Sequence, residues 1–389
     1  MFICINIYKI DIDFNMHGRQ DNDYNKAYYK IYYQVNGEMT NDKINFVVGE
    51  YKRTSEAIKT GNYSTEPNQP GTYTGYIFGD MGMFMELFNQ MDYAYNYKTR
   101  TQEVLSKAND NIAFFTEKNN GYEVRNNKQI VKIYDNRKID TFYDTNGFKS
   151  LINYDFSSLL IIMLLILGLV PVFSGEKATG MSAILKTTKI GNKKIFKTKM
   201  LSAYLYTFII SLLFTSIDII SYAILFGFDG GTNAIYSIEQ FVFSPLTIKI
   251  WQYLIMAFLL RFLCFLFITS VILFFSSIFS DNVFPLITSV AVIFLMLYIN
   301  DFIYGQVGEI ISTFNPISLL TTRELFESYN VVNLFDYPIF KFITIITVCV
   351  LLFACVTMGT VFINNRTVVS NKNYFKTLKN KIKELLGVA

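Results

Sequence analysis

SGEKATGMSAILKTTKIGNKKIFKTKM, residues Ser174–Met200, separates two long apolar stretches and decides how the chain is organised. This segment is rich in lysine, and its only acidic residue is Glu176. Short lysine-rich loops between membrane-spanning helices stay on the cytoplasmic side of the membrane. The sequence therefore predicts that residues 174–200 form a cytoplasmic loop between two spans.

Apolar runs on both sides of this loop predict spanning helices, because a helix needs about 20 residues to cross about 30 Å of hydrocarbon. The runs are Phe156–Phe173, Leu201–Phe228, Trp251–Phe279, Val283–Tyr298 and Phe342–Ile363. Apolar residues make up 51% of the chain, while polar residues concentrate before the first run. We predict an α-helical polytopic membrane protein with five visible transmembrane helices within residues 156–363. A mainly α-helical domain, residues 1–155, precedes them and a basic tail, residues 364–389, follows.

The charges of the remaining loops predict their sides of the membrane. With residues 174–200 inside, residues 229–250 and 301–341 lie outside, and the Ser280-Asp281-Asn282 turn and the tail lie inside. The outer loops are mostly acidic and the tail is mostly basic, as this rule requires. Residues 1–155 are then extracellular, on a protein of the plasma membrane. The alternative is that this domain is cytosolic, because long domains follow the charge rule poorly.

An extracellular N-terminal domain needs a segment that carries it across the membrane. Met1–Ile10 is too short to span and lacks the features of a signal peptide. We therefore expect a sixth, N-terminal transmembrane helix to precede this chain in the functional protein.

Periodic apolar residues predict the secondary structure of residues 1–155. The predicted helices are Asp23–Val35, a second helix after a Thr40 cap, Met81–Tyr93 and Thr101–Lys118. Short strands are predicted near Gln129–Tyr134 and Thr141–Tyr143.

Residue patterns that carry catalysis or hold cofactors are missing from the sequence. The single histidine, His17, has no cysteine or second histidine near it, so a solvated side chain is favoured over a metal ligand. The glycines and lysines of the loop do not have the spacing of a phosphate-binding loop, and there is no Gly-x-Ser-x-Gly motif. The small net charge of +4 gives no support for nucleic-acid binding. We expect no enzymatic activity, cofactor or metal in this chain.

An amphipathic helix is predicted within the lysine-rich loop, at about residues 177–186. It would expose Met181, Ile184 and Leu185 on one face with lysines beside them. Such a helix suits a groove on a partner protein. The alternative is a basic amphipathic helix that lies on anionic lipid.

The order of features around the loop resembles the permease subunit of ABC-2 type ABC transporters. A span ends in an acid-plus-glycine segment, and a short amphipathic helix and a Thr-Thr pair precede the next span. The matching residues are Glu176, Gly180, Leu185, Thr187, Thr188, Gly191 and Lys199. Looser matches are residues 36–40, Tyr143-Asp144 and Asn315-Pro316. Members of the family typically have six spans, a large extracellular domain between the first two and a coupling helix after the second. The first span is the feature that this chain lacks.

The resemblance implies a permease that pairs with a second permease, identical or different, and with two ATP-binding cassette ATPase subunits. It implies that the loop residues above, together with Met181 and Ile184, couple the membrane domain to the ATPase. The expected function is export or extraction of an amphipathic or peptide-like compound, with membrane lipid as a further contact. The alternative is a membrane-anchored peptide sensor or immunity protein without transport. An intramembrane enzyme is disfavoured, because no apolar run carries histidine or paired acids.

Two charged residues interrupt the apolar runs, Asp218 in the second and Arg261 in the third. Ionisable groups inside a bilayer are costly and usually face a partner or water. Both residues fall in the outer half of the membrane by helix rise. We predict a structural ion pair between them, with a role in the substrate path as the alternative.

Overall fold

The structure, a computed structural model, describes residues 1–17, 22–63, 68–187, 191–303 and 305–365. This part of the chain is mainly helical, with two small antiparallel sheets. It divides into two compact units. Unit 1 contains Met1–Asp155, Ser216–Phe258 and Thr322–Lys341, and unit 2 contains Phe156–Thr215, Leu259–Thr321 and the described chain from Phe342 onward.

Six helices and two strands come from the first 155 residues. They are α1 (Phe2–His17), α2 (Asn22–Val35), β1 (Gly37–Glu38), α3 (Asn41–Lys59), α4 (Ile77–Glu117), α5 (Gly121–Tyr134), β2 (Thr141–Phe142) and α6 (Asn146–Asn153). The predicted helix after a Thr40 cap is confirmed, because the Thr40 side chain accepts a hydrogen bond from the Lys43 amide at the start of α3.

Two predictions for this region are wrong in detail. The stretches Met81–Tyr93 and Thr101–Lys118 belong to one helix, α4, which has 41 residues. The residues between the stretches contain neither glycine nor proline, so nothing ends the helix there. Gln129–Tyr134 is the end of helix α5 and not a strand, because Asn120 caps a helix that continues through it.

The first core of unit 1 packs α2, α3 and α4 against strand β2. Helix α2 contributes five residues to this core, and Tyr24 packs against it. The core residues are Ala27, Tyr28, Ile31, Tyr32, Val35, Val47, Met83, Phe84, Leu87, Met91 and Phe142. The strands pair with Gly37 opposite Phe142 and Glu38 opposite Thr141, so the segment after α2 lies beside the chain that leads to α6.

In a second part of unit 1, residues 234–246 pack against α4, α5 and the segment that follows α5. Arg137 is 4% exposed, and its guanidinium donates to the carbonyl oxygens of Ser244 at 2.9 Å and Leu246 at 3.1 Å. The rings of Tyr134 and Tyr236 lie 4.5 and 4.8 Å from its central carbon, within cation–π range. Burial raises the pKa of the Tyr134 hydroxyl to about 12. We call this group the Arg137 clamp.

The remaining helices and strands contain the apolar part of the chain. They are α7 (Phe156–Leu169), α8 (Pro171–Ala178), α9 (Met181–Thr187), α10 (Gly191–Phe226), α11 (Ile250–Ile278), α12 (Val283–Phe302), α13 (Gly305–Phe314), α14 (Thr322–Phe326), β3 (Val331–Leu334), β4 (Tyr337–Phe340) and α15 (Lys341–Asn365). Strands β3 and β4 form an antiparallel hairpin in unit 1.

Four helical segments of the described chain are long and apolar enough to cross a membrane. They are Asn146–Ala178, Lys194–Phe226, Ile250–Ile278 and Lys341–Asn364. Each contains or overlaps one of the predicted spans. The fifth predicted span is a shorter apolar helix, Val283–Ile299. These segments suggest a multi-pass membrane protein.

Polar contacts join the long helices of unit 2. The hydroxyls of Thr207 on α10 and Thr269 on α11 lie 2.7 Å apart, and both residues are fully buried. The Tyr206 hydroxyl on α10 donates to the Leu164 carbonyl on α7 at 3.1 Å. Gly168, one turn further along α7, makes room for the Tyr206 ring.

Candidate functional site

The lysine-rich loop begins as helix α8 and is tied to the start of the next long helix. Glu176 on α8 forms an ion pair with Lys199 on α10. The Lys199 ammonium also donates to the Val172 carbonyl at 2.8 Å and lies 5.1 Å from the centre of the Phe173 ring. Two of the residues that carry the family resemblance, Glu176 and Lys199, are therefore in direct contact.

Helix α8 is also fastened to the turn between α11 and α12. The Ser174 hydroxyl lies 2.6 Å from Oδ1 of Asn282, and the Lys177 ammonium donates to the Ser277 carbonyl. The Ser276 hydroxyl accepts from the amides of Phe173 and Ser174 at 3.0 and 3.1 Å. Within unit 2, the lysine-rich loop and the Ser280-Asp281-Asn282 turn, both predicted to be cytoplasmic, thus lie side by side.

Sequence reasoning missed Ser276, Ser277 and Asn282 as neighbours of the loop. The sequence did contain a signal for these residues. Two serines end an otherwise apolar helix, and Ser-Asp-Asn follows shortly after them. Such residues supply hydrogen-bond donors and acceptors where a helix leaves its last carbonyl groups unpaired. The residues that these hydroxyls meet lie about a hundred positions away in the chain, and a single sequence does not show such pairs.

The predicted helix at about residues 177–186 is wrong in its start. Helix α8 ends at Ala178, and Gly180 has a φ of +73°, a left-handed conformation that glycine adopts without strain. A separate short helix, α9, then begins at Met181. Gly180, one of the residues that carry the family resemblance, thus forms the turn between α8 and α9.

Helix α9 carries the apolar residues that were expected to contact a partner. Met181 is 54% exposed and Ile184 is 67% exposed, while Leu185 is half-buried. Spacings of three and four residues place these side chains on one helical face. Thr187 ends α9 and Gly191 begins α10, whereas Thr188 lies outside the described residues.

Asp218 and Arg261 each contact polar groups within their own unit. Asp218 is 6% exposed and accepts a hydrogen bond from the Asn6 side-chain amide at 2.6 Å. In turn, the Tyr154 hydroxyl donates to Oδ1 of Asn6 at 2.8 Å. Arg261 donates through Nε to the Leu320 carbonyl at 3.0 Å. Asp218 belongs to unit 1 and Arg261 to unit 2, so their ion pair stays a prediction.

Among the residues that the structure describes, no three His, Cys, Asp or Glu side chains come close enough together to hold a metal ion. His17 is the last residue of α1. The four cysteines are free, with Cys264 and Cys349 buried and Cys4 and Cys355 exposed.

No family model, curated protein or solved structure matches this chain. The assignment of a function therefore depends on the residues themselves and on their geometry.

Proposed function

We propose that this chain is the permease subunit of an ABC-2 type ABC transporter of the plasma membrane, and that it exports or extracts an amphipathic or peptide-like compound. The observation that carries the proposal is helix α9, a short helix with exposed Met181 and Ile184 within a lysine-rich loop. An exposed apolar stripe beside basic residues is suited to a groove on another protein.

The attachment of the loop supports a role in transmitting force. Helix α8 joins α9 through Gly180 and is fastened to α10 by the Glu176–Lys199 ion pair and to α11 by the Lys177 bond. A displacement of α9 by an ATP-binding subunit would therefore pull on two helices that belong to candidate spans. Rigid-body movement of packed helices is a common way to open and close a pathway.

Unit 1 contains residues 1–155, residues 229–250 and the hairpin of β3 and β4, which are all predicted to lie outside. Unit 2 contains the loop and the Ser280-Asp281-Asn282 turn, predicted to lie inside, and also residues 301–321, predicted to lie outside. The sidedness is therefore proposed from the charges of the loops alone. Two ATP-binding cassette subunits and a second permease, identical or different, would complete the transporter.

The genomic neighbourhood offers a first test. An adjacent reading frame with a phosphate-binding loop and a Ser-Gly-Gly-Gln-like segment is expected, because this chain has no such motif of its own.

Disruption of the α9 surface is the biochemical test. The triple variant Met181→Asp, Ile184→Asp and Leu185→Asp is expected to abolish co-purification with that ATP-binding subunit in neutral detergent and to abolish its ATP-dependent transport. Thr179→Asp is the matched control, because Thr179 is exposed in the same loop but precedes the α9 stripe. Full association and activity in the triple variant would contradict the proposal and favour a sensor or immunity protein.

A further inference from the structure

Helix α1 lies beside the last part of α10, within unit 1. The Asn6 side-chain amide donates to Asp218 at 2.6 Å. Eight residues further along each helix, the rings of Phe14 and Phe226 meet edge to face with their centres 5.1 Å apart. Eight residues are about 12 Å of helix. Because the spacing is the same on both helices, α1 and α10 run in parallel over this length.

The contact with Asp218 gives the depth of Asn6 in the membrane. Helix α10 belongs to the candidate span Lys194–Phe226, and the lysine-rich loop ends at Met200. Asp218 lies about 27 Å further along the helix than Met200, and the hydrocarbon of a bilayer is about 30 Å thick. Asn6 is therefore close to the outer edge of the hydrocarbon, and Ile3 lies about 5 Å further into it.

Tyr154 marks the same level at the start of another apolar run. Its hydroxyl donates to Oδ1 of Asn6 at 2.8 Å, and its ring centre lies 5.5 Å from that of Tyr222 on α10. Tyr154 comes shortly before Phe156, the first residue of α7. Tyrosine is enriched where membrane spans meet water. The end of one apolar run and the start of another thus agree on the depth of Asn6.

The outward side chains of α1 are apolar as far as Tyr8. On the inward side, Asn6 and Ile10 are one helical turn apart and are buried. The exposed side chains are those of Ile3, Cys4, Ile5, Ile7 and Tyr8, which we call the α1 apolar surface. Contact of such a surface with water is unfavourable, and exposed apolar patches mark contact with a protein or a membrane.

The surroundings of the α1 apolar surface favour acyl chains as its contact. The neighbouring part of α10 is also apolar where it is exposed, at Ile220 and Ile224. Lys9, the first charged side chain of α1, directly follows Tyr8. A tyrosine followed by a lysine is typical of the edge of the hydrocarbon, because the ring lies at the headgroup level and the long lysine side chain reaches water. The polarity of α1 therefore changes close to the level of Asn6.

We propose that residues 3–8 of α1 lie in the outer leaflet of the membrane and that the α1 apolar surface contacts lipid acyl chains. Asn6 then joins α1 to α10 at a depth where little water competes for its hydrogen bonds. The proposal narrows the predicted extracellular domain, residues 1–155, to the part that follows Tyr8. It requires that α10 crosses the membrane, and it does not rest on the proposed function in transport.

Site-directed spin labelling tests the proposal on the full chain in phosphatidylcholine nanodiscs. In the Cys355→Ser variant a nitroxide is attached to Cys4, the exposed cysteine that remains, since Cys264 and Cys349 are buried. Electron paramagnetic resonance measures how often the label collides with oxygen, which concentrates in hydrocarbon, and with a nickel chelate, which stays in water. We expect the oxygen-to-nickel collision ratio at Cys4 to be several-fold higher than at a label in water. Because Cys4 is native and exposed, the label needs no substitution within α1.

Two variants in a Cys4→Ser, Cys355→Ser background calibrate the ratio. Leu212→Cys, exposed on the apolar part of α10, reports hydrocarbon, and Thr232→Cys, exposed in a loop of unit 1, reports water. Lys9→Cys in the same background tests the polarity change within α1, and it should give a ratio close to that of Thr232→Cys.

A ratio at Cys4 as low as that of Thr232→Cys overturns the proposal, because it places the start of α1 in water. Few collisions with either reagent also overturn it, because a protein such as a second copy of this chain then covers the α1 apolar surface. The measurement needs neither ATP nor an ATP-binding subunit, so its failure leaves the permease assignment standing. Loss of ATPase association in the α9 triple variant likewise leaves the lipid contact standing.

Discussion

Asp80 shows how one buried carboxylate orders a loop. It lies in the first turn of α4 with no exposed surface, and it accepts hydrogen bonds from the Tyr73 amide at 2.9 Å and the Thr74 amide at 2.8 Å. The Thr74 hydroxyl donates to it as well, at 2.7 Å. A negative charge at a helix N-terminus is favourable, and here it also satisfies the amides of the preceding loop.

Asp80→Ala is expected to lower the free energy of unfolding by about 2–4 kcal/mol, because two main-chain amides and the Thr74 hydroxyl lose a charged acceptor. Thermal unfolding of the detergent-solubilised chain and limited proteolysis within residues 68–76 would measure the loss. Asp110→Ala, at an exposed position on the same helix, should stay within about 0.5 kcal/mol of the parent. Equal stability of the two variants would show that the carboxylate does not hold the loop.

Local sequence patterns predict local contacts at this scale and miss distant ones. The Thr40 cap was predictable, because the cap and the amide that it binds are three residues apart. The bond between Asn6 and Asp218 joins positions 212 residues apart, and it was not predictable from either position. The Glu176–Lys199 contact was only suggested by a resemblance, in which both residues appeared without a stated partner.

At the scale of the helix, the close approach of α7 and α10 depends on one glycine. A Cβ at Gly168 would lie 2.6 Å from the Tyr206 hydroxyl oxygen and 2.8 Å from Cζ of the ring. Such distances are shorter than any van der Waals contact, so the ring or one of the helices would have to move.

Gly168→Ala is therefore expected to destabilise the protein by about 1–3 kcal/mol. Adding Tyr206→Leu should recover part of the loss, because it removes the ring that the new methyl group meets. Gly175→Ala is the control, since a Cβ there meets Pro171 at an ordinary 3.5 Å. Unfolding midpoints in detergent would compare these variants and Tyr206→Leu alone with the parent, and additive losses in the double variant would argue against the clash.

Helices were predicted better than their ends and interruptions. Apolar runs of about 20 residues need no partner to be recognised, and four of them are long apolar helices of the structure. The short run Gln129–Tyr134 fits a strand or a helix equally well by pattern. Its helical state follows from the Asn120 side chain, which accepts from the Glu123 amide at 3.2 Å and starts α5 upstream.

For the whole molecule, the predicted sidedness can be measured directly. In a Cys4→Ser background, Thr232→Cys is expected to react in intact cells with a maleimide that does not cross membranes. Thr179→Cys should react only after the cells are permeabilised. Both positions are exposed, so a difference between them reports the side of the membrane. Labelling of Thr179→Cys in intact cells would reverse the predicted topology.

The stability of the folded chain is expected to fall in alkali. Burial raises the pKa of the Tyr97 and Tyr134 hydroxyls to about 12, from the usual value of 10.0. Below pH 10.0 both are protonated in the folded and the unfolded chain. As the pH rises from 10.0 towards 12, only the unfolded chain releases these protons, so the free energy of unfolding falls by up to about 1.4 kcal/mol per pH unit for each tyrosine.

Thermal unfolding at increasing pH would measure this fall. Tyr97→Phe with Tyr134→Phe should make the fall less steep, and the slope that remains comes from other buried tyrosines whose pKa burial also raises, such as Tyr32 and Tyr93. Tyr95→Phe, at a 60% exposed position on α4, should leave the fall unchanged. If the free energy of unfolding of the double phenylalanine variant fell by the same amount in alkali, the fall would come from groups other than Tyr97 and Tyr134.

Composition alone does not reveal how the chain is divided into units. Polar composition separates residues 1–155 from the apolar remainder. The last part of α10, the first part of α11 and the hairpin of β3 and β4 nevertheless also belong to unit 1. Membership in a unit depends on contacts between distant parts of the chain, such as the hydrogen bond that Arg125 donates to the Asp336 carbonyl in the hairpin, 211 residues away.

The Arg137 clamp has a consequence for environments more acidic than the cytosol. Its two hydrogen bonds go to main-chain oxygens, and its other neighbours are phenol rings. A guanidinium keeps its proton throughout the physiological range, and a peptide oxygen gains none there. Acidification that would break a carboxylate ion pair therefore leaves the contacts between Arg137 and residues 244–246 in place.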